Sequence, residues 1–487
     1  MKYIHKYNLL VDWYDQVNGT SLLIGSFQSI QSTMKTELPV NNPIKSFWLT
    51  AEDEFATYRT KGELPQETDI IIIGSGYAGS TLAYYLYEND KTAKKSILML
   101  EARNVCSGAT ARNGGHLKPD LYSQYKYFKS KYGEKGAAEI INFEHSHLKA
   151  VKEVVEKEKI DCDFVLTRAC DVHLSSQSGK SSIENYYEMI KNPYVTCKDD
   201  VQITFGEAAK VISKVEDSSV CLTYTAGQLW PYKLMTALLK KVVSKGLNLQ
   251  TNTPVLKVDR LENGKYLVET SRGKIITEKV IYATNGYTAA IEPKFENKIV
   301  PIKGACSHII SSDPKIRTPH LTNTYGIRYK GADTDYLINR PDGSVIVGGA
   351  KKHIFPFKEV FYNNVDDSTL IEGTKEYFDD YMKKMFYTWK DFKATTDYVW
   401  SGILGYSDDT VPYVGEMLEE KNKFVIAGFH GHGMPRVLLS AKALAKLING
   451  NSDSLDIPSA FKITKDRMEN TKNNLLEMLG TIPKSKL

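Results

Sequence analysis

Three glycines in one short segment have the spacing that a phosphate-binding loop requires. Gly74, Gly76 and Gly79 follow directly on the apolar run 69–73. The first glycine permits a tight turn, the second lets the backbone approach a pyrophosphate, and the third lets helix and strand pack closely. The N–H groups at the start of a following helix would then face the phosphates. The segment therefore predicts a dinucleotide-binding loop.

Glu101 supplies a second part of this predicted site. It follows the apolar run 96–100, and a carboxylate at the end of a second parallel strand accepts hydrogen bonds from the ribose hydroxyls of an adenosine. A carboxylate there disfavours NADP but does not separate FAD from NAD. The next segment, 106–116, is rich in small residues, which let the backbone approach a bulky, flat cofactor.

These residues need particular elements to position them. The runs 69–73 and 96–100 are continuously apolar, which is typical of parallel strands buried on both faces. With the helical spacing of apolar residues in 80–88, they predict a β-α-β unit. Further along, the sequence predicts helices over 134–158, 231–245 and 437–449, short strands and turns over 166–200, and a buried strand over 424–428.

Composition excludes several classes of function. The chain has 487 residues, 42% of them hydrophobic and 25% charged, which is typical of a folded globular protein. A net charge of +5 without a dense basic tract argues against a nucleic-acid partner. We find neither a run of 18 apolar residues, which a membrane span would need, nor the apolar core of a secretory signal. The six cysteines have no metal-binding spacing and are expected to be reduced thiols in an intracellular protein.

The segment 107–116, with the sequence S-G-A-T-A-R-N-G-G-H, is one of several motifs typical of a single enzyme family. At these motifs the chain resembles the D-amino-acid oxidase (DAO) superfamily of FAD-dependent oxidoreductases, above all the branch of gamma-glutamylputrescine oxidoreductase, glycine oxidase and sarcosine oxidase. The resemblance extends over 46–450. Its other motifs are Trp230-Pro231, Val255, 283–287, 400–402, 412–415 and 428–434.

The resemblance implies an α/β fold, in which a Rossmann-like FAD-binding domain carries an inserted antiparallel β-sheet substrate domain of the α+β type. Because fold does not establish function, the two are argued separately. The domains that we predict are an N-terminal extension over 1–67, a discontinuous FAD-binding domain over 68–160, 226–300 and 396–450, a substrate domain over 161–225 and 301–395, and a C-terminal tail over 451–487.

The resemblance also implies FAD as the cofactor. Cys306 is not in the motif by which sarcosine oxidase attaches its flavin, so we expect FAD to be bound non-covalently and no metal to be required. The residues expected to bind FAD are Gly74, Ser75, Gly76, Tyr77, Ala78, Gly79, Glu101, Ala102, Arg103, Ser107, Gly108, Ala109, Thr110, Arg112, Asn113, Gly114, Gly115, His116, Val255, Ala283, Thr284, Asn285, Gly286, Gly431, His432, Gly433 and Met434.

The chemistry implied by the resemblance is oxidation of the C–N bond of an amine to an imine. Hydride passes to the flavin N5, and O2 reoxidises the flavin and gives H2O2. The flavin supplies the hard chemistry and the protein supplies orientation and electrostatics, so no strong base is required if the amine enters unprotonated. The residues expected to form the catalytic site are His432 in the last glycine-rich loop and four aromatic side chains, Tyr287, Tyr336, Trp400 and Tyr406.

One departure from the family bears on the substrate. Glycine oxidase-like members carry an arginine for the substrate α-carboxylate at the position occupied here by Leu404. A buried carboxylate needs a bidentate partner, so simple α-amino acids are disfavoured unless another arginine substitutes. The candidates for such a substitution are Arg328, Arg340 and Arg436. The alternatives left open are an amino-acid oxidase, an amine dehydrogenase with a non-oxygen acceptor, and a flavin-binding protein without catalysis.

The C-terminal tripeptide Ser485-Lys486-Leu487 resembles an address that the peroxisomal import receptor recognises. We therefore expect a peroxisomal protein in a eukaryotic host, and otherwise a cytoplasmic one. Peroxide formed by an oxidase agrees with that location by association only. The expected partners are thus a small-molecule amine, O2 and the import receptor, without nucleic acid or membrane.

Overall fold

The apolar run predicted as a buried strand lies among the parallel central strands of a mixed sheet in the computed structural model. The structure describes residues 35–88, 94–329, 333–354, 358–450, 455–471, 473 and 475. These residues belong to one compact unit, Lys35–Leu487. Within them, no helix has the length and the apolar character that crossing a bilayer would require.

The strands of the described residues are β1 (Glu67–Ile73), β2 (Ile97–Leu100), β3 (His116–Leu117), β4 (Val165–His173), β5 (Gln202–Phe205), β6 (Val220–Gln228), β7 (Asn248–Gln250), β8 (Val255–Arg260), β9 (Tyr266–Thr270), β10 (Gly273–Tyr282), β11 (Ile299–Ser311), β12 (Thr324–Arg328), β13 (Thr334–Asn339), β14 (Val345–Gly349), β15 (Ala394–Ser407), β16 (Tyr413–Glu416) and β17 (Lys423–Ala427).

The α-helices of the same residues are α1 (Tyr77–Tyr87), α2 (Tyr125–Glu158), α3 (Ser176–Ile190), α4 (Gly206–Ser213), α5 (Pro231–Ser244), α6 (Thr288–Ile291), α7 (Lys351–Ile354), α8 (Lys358–Phe361), α9 (Thr374–Asp379), α10 (Tyr381–Met385), α11 (Val437–Ile448) and α12 (Lys465–Glu469). Single 3₁₀ turns occur at Phe47–Ala51, Glu54–Thr57, Ala109–Ala111, Lys198–Asp200, Asn285–Tyr287, Pro293–Phe295, Tyr387–Trp389 and Ser459–Phe461.

The first sheet has the strand order β16-β17-β10-β1-β2-β7, with β8 and β9 attached to β10. Strand β1 pairs in parallel with β2 on one side and with β10 on the other. Its residues Ile71 and Ile72 are fully buried, because a central strand packs on both faces. The parallel pairing brings the carboxyl ends of β1 and β2 to one edge, where the Gly74 N–H donates to the Leu100 carbonyl at 2.8 Å.

The second sheet has the order β15-β11-β14-β13-β12-β4-β6-β3, with β5 paired to β6. Its pairings are antiparallel except that of β4 with β12. The two longest neighbours, β11 and β15, pair from Ile299↔Ser407 to Ser311↔Ala394. A parallel sheet in a β-α-β arrangement and a second, mainly antiparallel sheet are what the sequence predicts, so the predicted fold class is confirmed.

The structure differs from the sequence-based expectation in local elements. Over 166–200 we expected short strands and turns, but α3 fills Ser176–Ile190. Its Ser175 side chain caps the first turn by accepting from the Ser178 N–H, and Met189 is buried on its inner face. Capping and tertiary packing thus override a serine-rich sequence of modest helix propensity.

The predicted domain boundary at 396 falls inside β15, a strand of the second sheet. The predicted domain ranges themselves stay predictions.

We expect Gly79→Ala to destabilise the β1–α1 connection. A Cβ at position 79 would lie 1.9 Å from the Gly74 carbonyl oxygen, so helix and strand would have to separate. Such overpacking costs roughly 1–3 kcal/mol or more. Thermal unfolding should show a lower midpoint, and visible absorbance should show less bound flavin. Gly62→Ala is the matched control, because a Cβ there meets nothing within 4 Å. Equal midpoints for the two variants would contradict the close approach.

Candidate active site

A cavity of about 430 Å³ is lined by residues of both sheets. One end is formed by the loops after β1 and β2, and another wall by strands of the second sheet. The cavity therefore joins the predicted dinucleotide loop to residues that are far from it in sequence.

The turn after β1 has the geometry that the glycine pattern predicts. Gly74 has a φ of +104°, which side chains rarely adopt, and a Cβ there would lie 2.7 Å from the Ala283 carbonyl oxygen. The Tyr77 N–H, in the first turn of α1, donates to the Thr110 hydroxyl at 2.8 Å. Other N–H groups of a first helical turn have no intrahelical acceptor and can serve a phosphate. Helix α1 thus begins at the cavity, as a pyrophosphate site requires.

Glu101 lies at the cavity with its carboxylate already oriented. Its Oε2 accepts from the Ser75 N–H at 2.9 Å and the Ser75 hydroxyl at 2.7 Å, and its Oε1 accepts from the Arg103 N–H at 2.9 Å. A carboxylate offers about four acceptor positions, so it can still accept from another donor. Ser75 does not line the cavity itself; its role in the structure is to fix Glu101.

Two polar atoms test whether this end of the cavity fits a dinucleotide. Arg112 and Tyr287 line the cavity, and both Arg112 Nη2 and the Tyr287 hydroxyl are buried without a hydrogen-bond partner among the described residues. Burial raises the pKa of Tyr287, so its hydroxyl is a neutral donor. Buried polar groups are almost always hydrogen-bonded. A bound polar molecule such as FAD would supply the missing acceptors, so the residues fit the expected cofactor.

The last glycine-rich loop, 428–434, is held from two sides. The Asn285 side-chain oxygen accepts from the N–H groups of Gly428 at 3.1 Å and Phe429 at 3.2 Å. His432 Nε2 lies 2.8 Å from Glu144 Oε2. The loop precedes α11 and lines the cavity. His432 is therefore oriented by a carboxylate rather than by the backbone.

Glu144 is fully buried and also accepts from Arg436 Nε at 2.7 Å and from the Asp120 N–H at 2.7 Å. Burial alone would raise the pKa of Glu144, but the charge of Arg436 and the contacts with His432 lower it to about 2. A paired carboxylate of this kind stays ionised across the physiological range. It fixes the orientation of His432 without being exposed to the cavity itself.

Most residues predicted to bind FAD line the cavity, and a few do not. Those at the cavity wall are Gly74, Gly76, Tyr77, Ala78, Glu101, Ala102, Arg103, Gly108, Ala109, Thr110, Arg112, Asn113, Gly114, His116, Val255, Ala283, Thr284, Asn285, Gly286, Gly431, His432, Gly433 and Met434. Those that do not line it are Ser75, Gly79, Ser107 and Gly115.

The four aromatic residues predicted for the catalytic site also divide into three that line the cavity and one that does not. Tyr287, Tyr336 and Tyr406 line the cavity. Trp400 does not: it is fully buried and its indole Nε1 donates to the Arg112 carbonyl at 3.0 Å. In the structure Trp400 supports Arg112 from outside the cavity wall, and a role for it in the catalytic site stays a prediction.

The second sheet contributes a charged cluster that the sequence analysis did not identify as a unit. Lys118 Nζ lies 2.9 Å from Asp171 Oδ1 and Arg328 Nη2 lies 2.8 Å from Asp171 Oδ2. The hydroxyls of Tyr122 and Tyr224 also donate to Asp171 Oδ2. Burial opposes ionisation, yet Arg328 and Lys118 hold the pKa of Asp171 well below its usual range. All three charged residues line the cavity.

Neutral polar groups complete this wall. Burial, with the nearby charge of Lys118, lowers the pKa of His116 to about 3, and its Nε2 lies 2.7 Å from the Thr324 hydroxyl. Burial raises the pKa of Tyr406 to about 12. The Tyr336 hydroxyl lies 3.0 Å from Cys306 Sγ. These side chains are uncharged near pH 7, so the fixed charges of the wall come from its lysine, arginine and aspartate residues.

We expect acid to destabilise the packing behind His432. The pKa of Glu144 is lowered to about 2, so its stabilisation is present above its ordinary pKa of 4.5 and is lost as the pH falls toward 2. Burial lowers the pKa of the adjacent His147 from 6.5 to about 4. Because unfolded His147 binds a proton more readily, stability falls as the pH drops from 6.5 to 4. The thermal midpoint should decrease by several degrees from pH 7 to pH 4.

The histidine contribution can be isolated by His147→Gln, which should reduce the slope of midpoint against pH between 6.5 and 4. His145→Gln is the matched control, because His145 is partly exposed on the same helix. A midpoint that is independent of pH over this interval would contradict the assignment.

Comparisons with known proteins find similar sequences in a single enzyme family. The family model described as "FAD dependent oxidoreductase" (DAO) matches residues 69–447. A protein of Rhizobium meliloti named "Probable oxidoreductase OrdL" is 22% identical over 82% of this chain and 87% of its own length. Gamma-glutamylputrescine oxidoreductase of Escherichia coli is 20% identical over 84% of this chain and 90% of its own length.

A solved structure gives the same result for the fold. Glycine oxidase from Geobacillus kaustophilus superposes with a TM-score of 0.64 at 18% identity, covering 82% of this chain and 99% of its own. The resemblance expected from the motifs is confirmed, because the family match spans well over half of the chain and includes both the Gly74 loop and the His432 loop. The chain therefore belongs to the DAO family of FAD-dependent oxidoreductases.

Proposed function

We propose that this protein oxidises the C–N bond of an amine or amino acid that also carries an anionic group. Two relatives support the reacting group: gamma-glutamylputrescine oxidoreductase and glycine oxidase are named for substrates that contain an amine. The anionic group is supported by one observation, the Lys118–Asp171–Arg328 cluster at the cavity wall. Two cations share one carboxylate, which leaves the cluster with one net positive charge.

The arginine positions decide which residue would meet a substrate carboxylate. Leu404 lines the cavity, where glycine oxidase-like relatives are expected to carry an arginine. Arg340 and Arg436 do not line it, and each pairs with carboxylates of its own. Arg328 does line it, and its Nε is buried without a hydrogen-bond partner among the described residues. On the cavity wall that carries the Lys118–Asp171–Arg328 cluster, Arg328 thus offers an unused donor for a carboxylate.

The chain's own residues would bind and orient such a substrate. A bound flavin would supply, at N5, the acceptor for the hydride that leaves the carbon beside the nitrogen. Tyr336 and Tyr406 provide apolar ring surfaces with neutral hydroxyls, suited to the carbon chain of an amine. His116, whose pKa is about 3, is a poor proton acceptor at neutral pH. In the proposed reaction the amine nitrogen therefore enters as the free base or loses its proton to solvent rather than to His116.

We also propose O2 as the electron acceptor and non-covalent binding of FAD. Cys306 forms its contact with the Tyr336 hydroxyl, and burial raises the pKa of Cys306 to about 12, so its thiol is a weak nucleophile for attachment to a flavin.

Peroxisomal import remains a further proposal. The tripeptide Ser485-Lys486-Leu487 lies outside the described residues, and the relatives named above are bacterial.

Anaerobic titration with a substrate panel tests the reaction. The panel should contain monoamines, diamines, N-methyl amino acids, D-amino acids and amines with a distant carboxylate. We expect bleaching of the flavin absorbance only by amines that carry a carboxylate, and recovery with stoichiometric H2O2 when air is admitted. Bleaching without recovery in air would favour a dehydrogenase with another acceptor. A flavin that no member of the panel bleaches would contradict the proposed activity.

Arg328→Met tests the anion site separately. Removing one member of a buried charge cluster costs about 2 kcal/mol or more, so KM for the carboxylate-bearing substrate should rise by about 30-fold or more, with a smaller change in kcat. Arg340→Met is the matched control, because Arg340 is a buried arginine in the turn between β13 and β14 that does not line the cavity. A rise in KM of the same size in Arg340→Met would contradict the assignment.

A further inference from the structure

A second buried carboxylate, Asp367, holds two arginines of the cofactor cavity. It lies in the loop between α8 and α9 and is fully buried. Arg103 Nη1 donates to Asp367 Oδ1 at 2.9 Å and Arg103 Nη2 donates to Oδ2 at 3.1 Å. Arg112 Nε lies 3.2 Å from Oδ2. Arg103 and Arg112 line the cavity but Asp367 does not, so Asp367 acts on the cavity only through the two guanidinium groups.

The same loop fastens a segment from the start of the described chain. The Ile44 N–H donates to the Asp367 carbonyl at 2.9 Å, and Arg103 Nη1 donates to the Val40 carbonyl at 3.2 Å. Leu38 and Pro39, which directly precede Val40 in the chain, line the cavity. The strap, defined here as residues 36–44, therefore covers part of the cavity and is tied to Asp367 and Arg103.

The loop is also anchored to the second sheet. Lys303 Nζ donates to the Thr369 hydroxyl at 2.8 Å, and the Ser401 hydroxyl donates to the Thr369 carbonyl at 2.7 Å. Arg112 Nη1 donates to the Ser401 carbonyl at 2.8 Å. The loop thus connects the strap and the edge that carries Glu101 to strands β11 and β15.

The charges explain why a carboxylate is needed at this point. Burial lowers the pKa of Arg112, while the charge of Asp367 opposes that effect and the charge of Arg103 adds to it. Without Asp367 two buried guanidinium groups would repel each other, and buried charges without partners are strongly unfavourable. With Asp367 both remain charged, and Arg112 Nη2 keeps an unused donor for an anionic group in the cavity.

We propose that Asp367 is a positioning residue for the cofactor: it holds Arg103, Arg112 and the strap in place around the bound dinucleotide and so slows its release. The proposal depends on the family's cofactor, FAD, and not on which substrate is oxidised. Its failure would leave the anion site at Arg328 untouched.

The test is the rate of FAD release from the holoenzyme after dilution, followed by the fluorescence of free FAD. Asp367→Asn should release FAD at least tenfold faster than the unchanged protein. It should also alter the visible circular dichroism of the bound flavin. Asp409→Asn is the matched control: Asp409 forms a buried pair with Arg467 at 2.7 Å, and neither residue lines the cavity.

Arg103→Lys is a second variant, in case Asp367→Asn does not fold. Lysine keeps the positive charge but cannot contact Asp367 through two nitrogens, so FAD release should again accelerate while the thermal midpoint of the apoprotein changes little. Release rates equal to those of the Asp409→Asn control, or an unchanged rate in both variants, would overturn the proposal, because either result would mean that the cluster stabilises the fold alone.

Discussion

The sharing of one buried carboxylate between two basic side chains is the interaction on which the walls of the cavity depend. It occurs at Asp171 with Lys118 and Arg328, at Asp367 with Arg103 and Arg112, and at Glu144 with His432 and Arg436. All three carboxylates are completely buried. Basic groups beside a cavity lose hydration, and a shared carboxylate compensates for that loss. At the same time it leaves a donor of two cavity-lining arginines, Arg112 and Arg328, without a partner among the described residues and available to a ligand.

The two sheets place these clusters at different parts of the cavity. Parallel pairing of β1 with β2 fixes Glu101 and the Gly74 turn at one edge. The long antiparallel pair β11–β15 places Leu404 on the opposite wall. The parallel pairing of β4 with β12 places Asp171 opposite Gly326, two residues from Arg328 along β12. The regular pairing of each sheet sets the positions, since a shift of one residue would turn a cavity-facing side chain to the other face.

The sequence predicts the part of the site that is local in the chain. The strand 69–73, the glycine turn and Glu101 follow one another within a β-α-β unit, and each has its own pattern. The Asp171 and Asp367 clusters have no such pattern, because their partners come from separate strands and loops that only the fold brings together. Trp400 shows the converse: a family motif marks the segment, but only packing places the indole behind Arg112.

A single cation cluster can serve both ends of the proposed substrate. The positive charge shared by Lys118 and Arg328 attracts a carboxylate, and it also disfavours the ammonium form of a nearby amine. The neighbouring His116 and Tyr406 are neutral near pH 7, so they do not offset that effect. Oxidation at the carbon beside nitrogen requires the lone pair of the free amine. The wall that would bind the anionic group therefore also favours the protonation state in which the amine reacts, which explains how the site could operate without a dedicated base.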